Sequence, residues 1–181
     1  MTSMMTYSNV GKLSDNVFYA SIKVKDIKPE VFQDYKKCSM FIGVSTCDFK
    51  CCREVNLPCS TCQNSGVNSQ EDIIVDYENI FKMFQNSLLS EAIVIGGLEP
   101  FLQADEVVQM IHYFRDRGVK NDFVIYTGYY PEEISKDTLE VLKKLENVVI
   151  KYGRYIPDRP NRFDEVLGVT LASDNQYAVK L

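Results

Sequence analysis

No run of about 18 consecutive apolar residues occurs in this 181-residue chain, so nothing in it reads as a membrane span. The opening segment, MTSMMTYSNVGKLSDN, is polar and lacks the apolar stretch of a secretion signal. Basic residues are outnumbered, 20 Lys and Arg against 25 Asp and Glu, for a net charge of −5. That balance argues against nonspecific nucleic-acid binding, which depends on cations meeting phosphates. Histidine occurs once, as His112, in a helical pattern beside Gln109, Tyr113 and Arg115, where it reads as a surface or packing residue and not as a metal ligand. Internal repeats and low-complexity segments are also missing. Together these absences lead us to expect a cytosolic protein with no membrane or nucleic-acid partner.

What is present is ordinary globular composition, 45% hydrophobic and 25% charged. A chain of this length buries roughly 70% of the surface it exposes when unfolded, so it needs no disulfide staples. Cysteine is the exception. Five of the six fall between Met40 and Asn64: Cys47, Cys51, Cys52, Cys59 and Cys62. In a reducing compartment, clustered cysteines are more often metal ligands or redox groups than disulfides. The sixth, Cys38, reads as a small buried hydrophobe.

Residues 1–16 read as an N-terminal tail, and 17–181 as a single domain with a cysteine loop at about 45–64. The segment 17–24 is expected to be a strand, and 25–39 a loop with a helical turn. The apolar run Met40–Val44 predicts a buried strand, and the loop after it is expected to reach about Ile74. A regular alternation follows. Helices are predicted over 76–89, 105–117 and 131–145. Short apolar strands are predicted at 92–95, 123–126 and 148–150. Gly118 is placed as a helix stop. The segment after Lys151 has no periodicity until 176–181, which alternates as a final strand. Alternating strands and helices, with strands apolar throughout, predict an α/β fold with a mostly parallel sheet buried on both faces. The units are too few for a closed eight-stranded barrel, and we expect an open, partial βα barrel.

Cysteines leaving the C-terminal end of a strand sit where α/β proteins bind ligands. Cys47, Cys51 and Cys62 could hold three corners of a cubane iron–sulfur cluster and leave one iron open. Cys51, Cys52, Cys59 and Cys62 could instead form a four-thiolate zinc site, since Cys59 and Cys62 have the two-residue gap that zinc favours. Spacing alone does not choose between them. Arg154, Arg159 and Arg162 form a modest basic stretch, read as solvated.

Several motifs resemble one family in the same order. Ile22–Ile27 is like its opening strand. Met40–Val44 leads into Cys47-Asp48-Phe49-Lys50-Cys51, and Cys62-Gln63-Asn64 resembles its third cysteine and following asparagine. Ile95-Gly96-Gly97-Leu98-Glu99-Pro100 resembles its Gly-Gly-Glu-Pro motif, Tyr126-Thr127-Gly128-Tyr129 its Thr-Gly-Tyr segment, Lys151–Tyr155 a later loop, and Asn175-Gln176 its terminal pair. The family is the small radical S-adenosylmethionine enzymes, and the resemblance is strongest to the anaerobic ribonucleotide reductase activating proteins. It covers roughly residues 20–181. Two departures stand out. The family spaces its cysteines C-x3-C-x2-C, whereas here the third is Cys62 after an insertion, and Leu98 is an extra residue in the glycine motif.

The resemblance implies a radical-SAM-like fold and a [4Fe–4S] cluster held by Cys47, Cys51 and Cys62, with Cys52 and Cys59 as spare thiols. It implies S-adenosylmethionine on the open iron. Gly96 and Gly97 would admit its close approach, Glu99 would accept its ammonium, and Thr127 and Gly128 would lie near its methionine or ribose. Reductive cleavage would give a 5′-deoxyadenosyl radical that activates a glycyl-radical enzyme such as anaerobic ribonucleotide reductase, with flavodoxin or ferredoxin as electron donor. The alternatives are radical chemistry on a small molecule, or a non-enzymatic iron–sulfur or zinc module.

Overall fold

The structure, a computed structural model, describes residues 21–62 and 64–181. The expected tail and the first four residues of the first expected strand lie outside the described residues.

One seven-stranded sheet organises the chain, in the order β3-β1-β2-β4-β5-β6-β9. Its centre is parallel: β2 (Ser39–Val44), β4 (Ala92–Gly96), β5 (Asp122–Tyr126) and β6 (Val148–Tyr152) each pair with the next in register. Antiparallel strands flank it. β1 (Ser21–Val31) and β3 (Ile73–Asp76) extend one side, and β9 (Tyr177–Lys180) pairs with β6 on the other. The sheet stays open, with β3 and β9 as its edges. A two-stranded hairpin, β7 (Arg162–Asp164) with β8 (Val169–Leu171), stands apart.

The central strands read as unbroken apolar runs because both faces are covered. On one face Ile42, Ile93, Ile95, Phe123, Ile125 and Ile150 meet the helices. These are α3 (Tyr77–Asn86), α4 (Ala104–Asp116) and α5 (Lys136–Lys143). On the other, Ala92, Val94, Val124 and Val149 meet Tyr35 and the hairpin residues Leu167 and Leu171. Phe114 of α4 is fully buried and meets Phe123 edge-on at 5.3 Å. Each such side chain contributes about 1.5–3 kcal/mol of burial. α4 stops at Gly118, whose φ of +78° suits glycine, with Gly118 N and Val119 N returning to the last carbonyls. No helix among the described residues is long and apolar enough to cross a membrane.

Four local expectations are corrected. β1 continues past Lys25 to Val31 because β2 supplies its partners, out to Val31 opposite Ser39. α3 ends at Asn86, and Leu88 is 93% exposed. There the Glu30 carboxylate accepts from Ser87 Oγ, Leu88 N and Leu89 N, groups a longer helix would have used otherwise. The helix expected over 131–145 is broken. A 3-10 turn at Pro131–Glu133 is followed by extended backbone at Ile134, which is buried, before α5 begins. The late segment without periodicity holds the β7–β8 hairpin.

Candidate metal centre

The loop leaving β2 is anchored first. The Gln103 side-chain oxygen accepts from Ser45 N at 2.9 Å and Ser45 Oγ at 3.1 Å, while its amide donates to Lys23 O. Phe49 then takes a left-handed conformation, φ 53°, and the chain enters the short helix α1 (Lys50–Glu54). α1 carries Cys51 and Cys52, whose Sγ atoms are 3.9 Å apart. A 3-10 turn, Cys59–Thr61, delivers Cys62, and α2 (Ser65–Asn68) follows.

The Sγ atoms of Cys51, Cys52 and Cys62 all lie within 4.8 Å of one another. Cys47 lines the same cavity, and negative charge on Cys62 adds to what raises the pKa of both Cys47 and Cys51. Two of these sulfurs receive backbone N–H groups, Cys47 from Phe49 at 3.3 Å and Cys62 from Asn64 at 3.4 Å. Burial pushes Cys47 up to about 11, and burial with the neighbouring Cys52 pushes Cys51 up to about 12. A metal must therefore displace protons on binding. Of the cysteines expected as ligands, Cys51 and Cys62 belong to the tight group. Cys47 stands beside it, and Cys52, read as spare, completes it. Cys59 is exposed and outside the group, so the four-thiolate set containing it is not brought together.

The remaining predicted site residues come from the C-terminal ends of the next strands. Gly97, Glu99, Thr127 and Gly128 line the same cavity, of about 840 Å³. Gly97 adopts φ +82°, and a Cβ there would lie 3.3 Å from Gly43 Cα. Gly96 has a different role: it ends β4 beside Gly43, and a Cβ would stand 3.1 Å from Tyr126 Cβ, so its lack of a side chain serves strand packing. Asn64 Nδ2 donates to Gly97 O at 2.5 Å, tying the last cysteine to the glycine turn. Glu99 is buried, yet its carboxylate is held at three points, by Thr127 Oγ1 (2.7 Å), Gly128 N (3.0 Å) and Phe101 N (3.0 Å). Burial raises its pKa, and the hydrogen bonds offset this in part.

Two cations went unrecognised in the sequence. Lys151 is buried in β6, lines the cavity and donates to Gly153 O at 2.7 Å. Burial pushes its ammonium down to about 8, opposed by Glu99. Its signal was a lysine interrupting the apolar run VVIKY. Arg154, expected to be solvated, is only 6% exposed. It grips Glu54 at the end of α1 and Glu133 of the 3-10 turn, and donates to Gly128 O at 2.8 Å. Lys50 joins the network through Glu133. The last turn of the cysteine helix is thereby fastened to the loops after β5 and β6.

The donor set is soft and close-packed, three thiols with a fourth beside them, and two sulfurs have N–H donors. That chemistry fits an iron–sulfur cluster. Comparison agrees: the family model for a 4Fe-4S single cluster domain matches residues 36–176, from before the cysteine loop to the start of β9. None of the curated proteins compared matches the chain. The match spans well over half of the sequence and contains all of the thiols just described, and the chain belongs to the 4Fe-4S single cluster domain family, a family found in radical SAM-like proteins.

Proposed function

We propose that the protein is a radical S-adenosylmethionine enzyme of the glycyl-radical activating type. The observation that carries this reading is the joining of two half-sites in one cavity. The thiol group and the Glu99 carboxylate open on the same space of about 840 Å³, within the range of small-ligand pockets. Asn64 links the two through Gly97. A reduced [4Fe–4S] cluster held by these thiols would supply the electron for reductive cleavage of the S-adenosylmethionine sulfonium to a 5′-deoxyadenosyl radical.

The chain's own part is to bind and orient. Cys47, Cys51 and Cys62 would hold three irons. Glu99 and Lys151 offer opposite charges to the same cavity, complementary to the ammonium and carboxylate of an amino-acid head group. Glu99 is pre-set for that role because Thr127, Gly128 and Phe101 fix both of its oxygens. Gly97 makes its left-handed turn packed against Gly43, a conformation and a close approach that suit glycine. Around the mouth, Val55, Leu57 and Tyr155 are exposed. An apolar rim of this kind suits the loop of a partner protein more than a small polar substrate.

The test is anaerobic reconstitution with iron and sulfide, reduction with dithionite and addition of S-adenosylmethionine. The reading expects 5′-deoxyadenosine and a changed low-temperature electron paramagnetic resonance spectrum. A cluster indifferent to S-adenosylmethionine would reassign the protein to electron transfer or binding.

A further inference from the structure

Thiolates on separate irons of a cubane diverge from one another, whereas thiolates around a single ion stand close together. With a metal–sulfur bond of about 2.3 Å, thiolates in a tetrahedral or trigonal array around one zinc lie about 3.8–4.0 Å apart. The Sγ atoms of Cys51, Cys52 and Cys62 all lie within 4.8 Å of one another, and those of Cys51 and Cys52 are at 3.9 Å. We infer that these three thiols form a site for one zinc ion, which the iron-free protein fills in competition with the cluster. The inference rests on the cluster reading for what zinc competes with, and on the thiols alone for the site.

The backbone on both sides of the loop holds the three sulfurs. Cys52 N and Arg53 N both donate to Phe49 O at 3.1 Å, and Leu57 N returns to Cys52 O at 3.0 Å. Cys62 N donates to Cys59 O at 3.1 Å, and Cys62 O accepts from Ser65 N at 2.9 Å. The other two thiols of the loop stay out of the group. Cys47 precedes the left-handed turn at Phe49, and Cys59 is exposed. Each occupant therefore takes its own third sulfur. The cluster uses Cys47 with Cys51 and Cys62, while zinc uses Cys52 with the same pair, so the two exclude each other.

Zinc suits this donor set. Thiolates are soft ligands, and Zn²⁺ generally binds a given site more tightly than Fe²⁺. It accepts three protein ligands with water as the fourth. On binding, three S–H bonds give way to three zinc–sulfur bonds and three protons pass to solvent. No electron moves, and zinc has no redox chemistry of its own. The zinc form is thus silent in radical chemistry until iron and sulfide replace it.

The test titrates the iron-free full chain anaerobically with Zn²⁺ against a chromophoric chelator. Wild type, Cys47→Ala and Cys59→Ala should each bind one zinc with the same affinity. Cys51→Ala, Cys52→Ala and Cys62→Ala should bind it more than roughly a hundredfold more weakly, since even changes behind the ligands of a metal site cost about 10–100-fold. Reconstitution with iron and sulfide should show the reverse for the deciding pair, succeeding in Cys52→Ala and failing in Cys47→Ala. One equivalent of Zn²⁺ added first should delay cluster uptake by wild type and not by Cys52→Ala. Full zinc affinity in Cys52→Ala, its loss in Cys47→Ala, or a wild type that binds no zinc would overturn the inference, and an equal delay in both proteins would overturn the competition. If Cys52→Ala does not fold, Cys47→Ala decides alone, by keeping zinc or losing it. Iron and sulfide counts on wild type judge the cluster reading separately: a chain that takes up no four-iron cluster defeats that reading, while the zinc titration still decides this one.

Discussion

Arg154 meets Glu54 across 100 residues of sequence, Nε to Oε2 at 2.6 Å and Nη2 to Oε1 at 2.5 Å. The same guanidinium meets both oxygens of Glu133, and all of its donor directions are used. One buried cation thus joins the helix that carries two thiols to the rim that carries Glu99's partners.

Arg154→Met should leave Glu133 without its main partner. Removing one member of a buried pair costs about 3–5 kcal/mol, and Lys50 compensates in part, so the expected loss is about 2–4 kcal/mol in denaturant unfolding of the iron-free protein. Glu54→Gln should cost under about 1 kcal/mol, because that carboxylate is half exposed. Equal effects of the two would show that Arg154 acts mainly through Glu54.

Acid should weaken the same junction. The hydrogen bonds from Arg154 hold Glu133 down to about 2, against an ordinary 4.5. Its folded-state pKa is depressed, so its stabilisation is complete above pH 4.5 and fades as pH falls through about 2. The melting-temperature gap between wild type and Glu133→Gln should therefore be constant above pH 4.5 and narrow below it. Comparing the pair isolates this group from Glu99, whose raised pKa acts in the opposite sense. A gap that does not vary with pH would contradict the assignment.

Lys151 is expected to trade stability for function. Burial lowers its pKa from 10.5 to about 8, so keeping it charged costs stability below pH 8, and the cost fades as pH rises toward 10.5. Lys151→Met should stabilise the iron-free protein at neutral pH by about 1–3 kcal/mol. Gly153 O keeps a donor in Gln176 Nε2. The same variant should need roughly tenfold more S-adenosylmethionine for the same spectral change, the equivalent of one charge-assisted contact. A variant that is less stable and binds equally well would place Lys151 in the scaffold only.

Among the cysteines, Cys59→Ala should bind full iron, since Cys59 is exposed and outside the tight group. Cys51→Ala and Cys62→Ala should lose most of it. Iron and sulfide analysis after reconstitution checks this, and loss of iron from Cys59→Ala would restore the zinc-like set containing that residue.

The parallel centre of the sheet was legible because Met40–Val44, Ala92–Ile95 and Phe123–Tyr126 are apolar at consecutive positions, which only a sheet covered on both faces demands. The rim residues followed, since Cys47, Gly97, Glu99 and Thr127 each come just after such a run. What could not be read was anything fixed by distant partners. Lys25–Val31 is polar enough to resemble a loop, and only the ladder to β2 makes it a strand. Arg154 looks like one of three surface arginines until Glu54 and Glu133 are brought to it. Adjacent cysteines leave a helix in different directions, so spacing could not tell whether Cys51 or Cys52 faces the cavity, and both do.

α1 has only five residues, too few to hold its own hydrogen bonds without outside support. Its order depends on Arg154 at one end and on whatever its thiols bind. Emptying the metal centre leaves the 50–58 segment attached mainly through the Arg154–Glu54 and Lys50–Glu133 contacts, and local opening there becomes far easier than global unfolding. Limited proteolysis should then cut the empty protein near Val55–Pro58 while sparing the loaded one. A cell's proteases would thus sort these molecules by cofactor content, clearing those that failed to acquire iron.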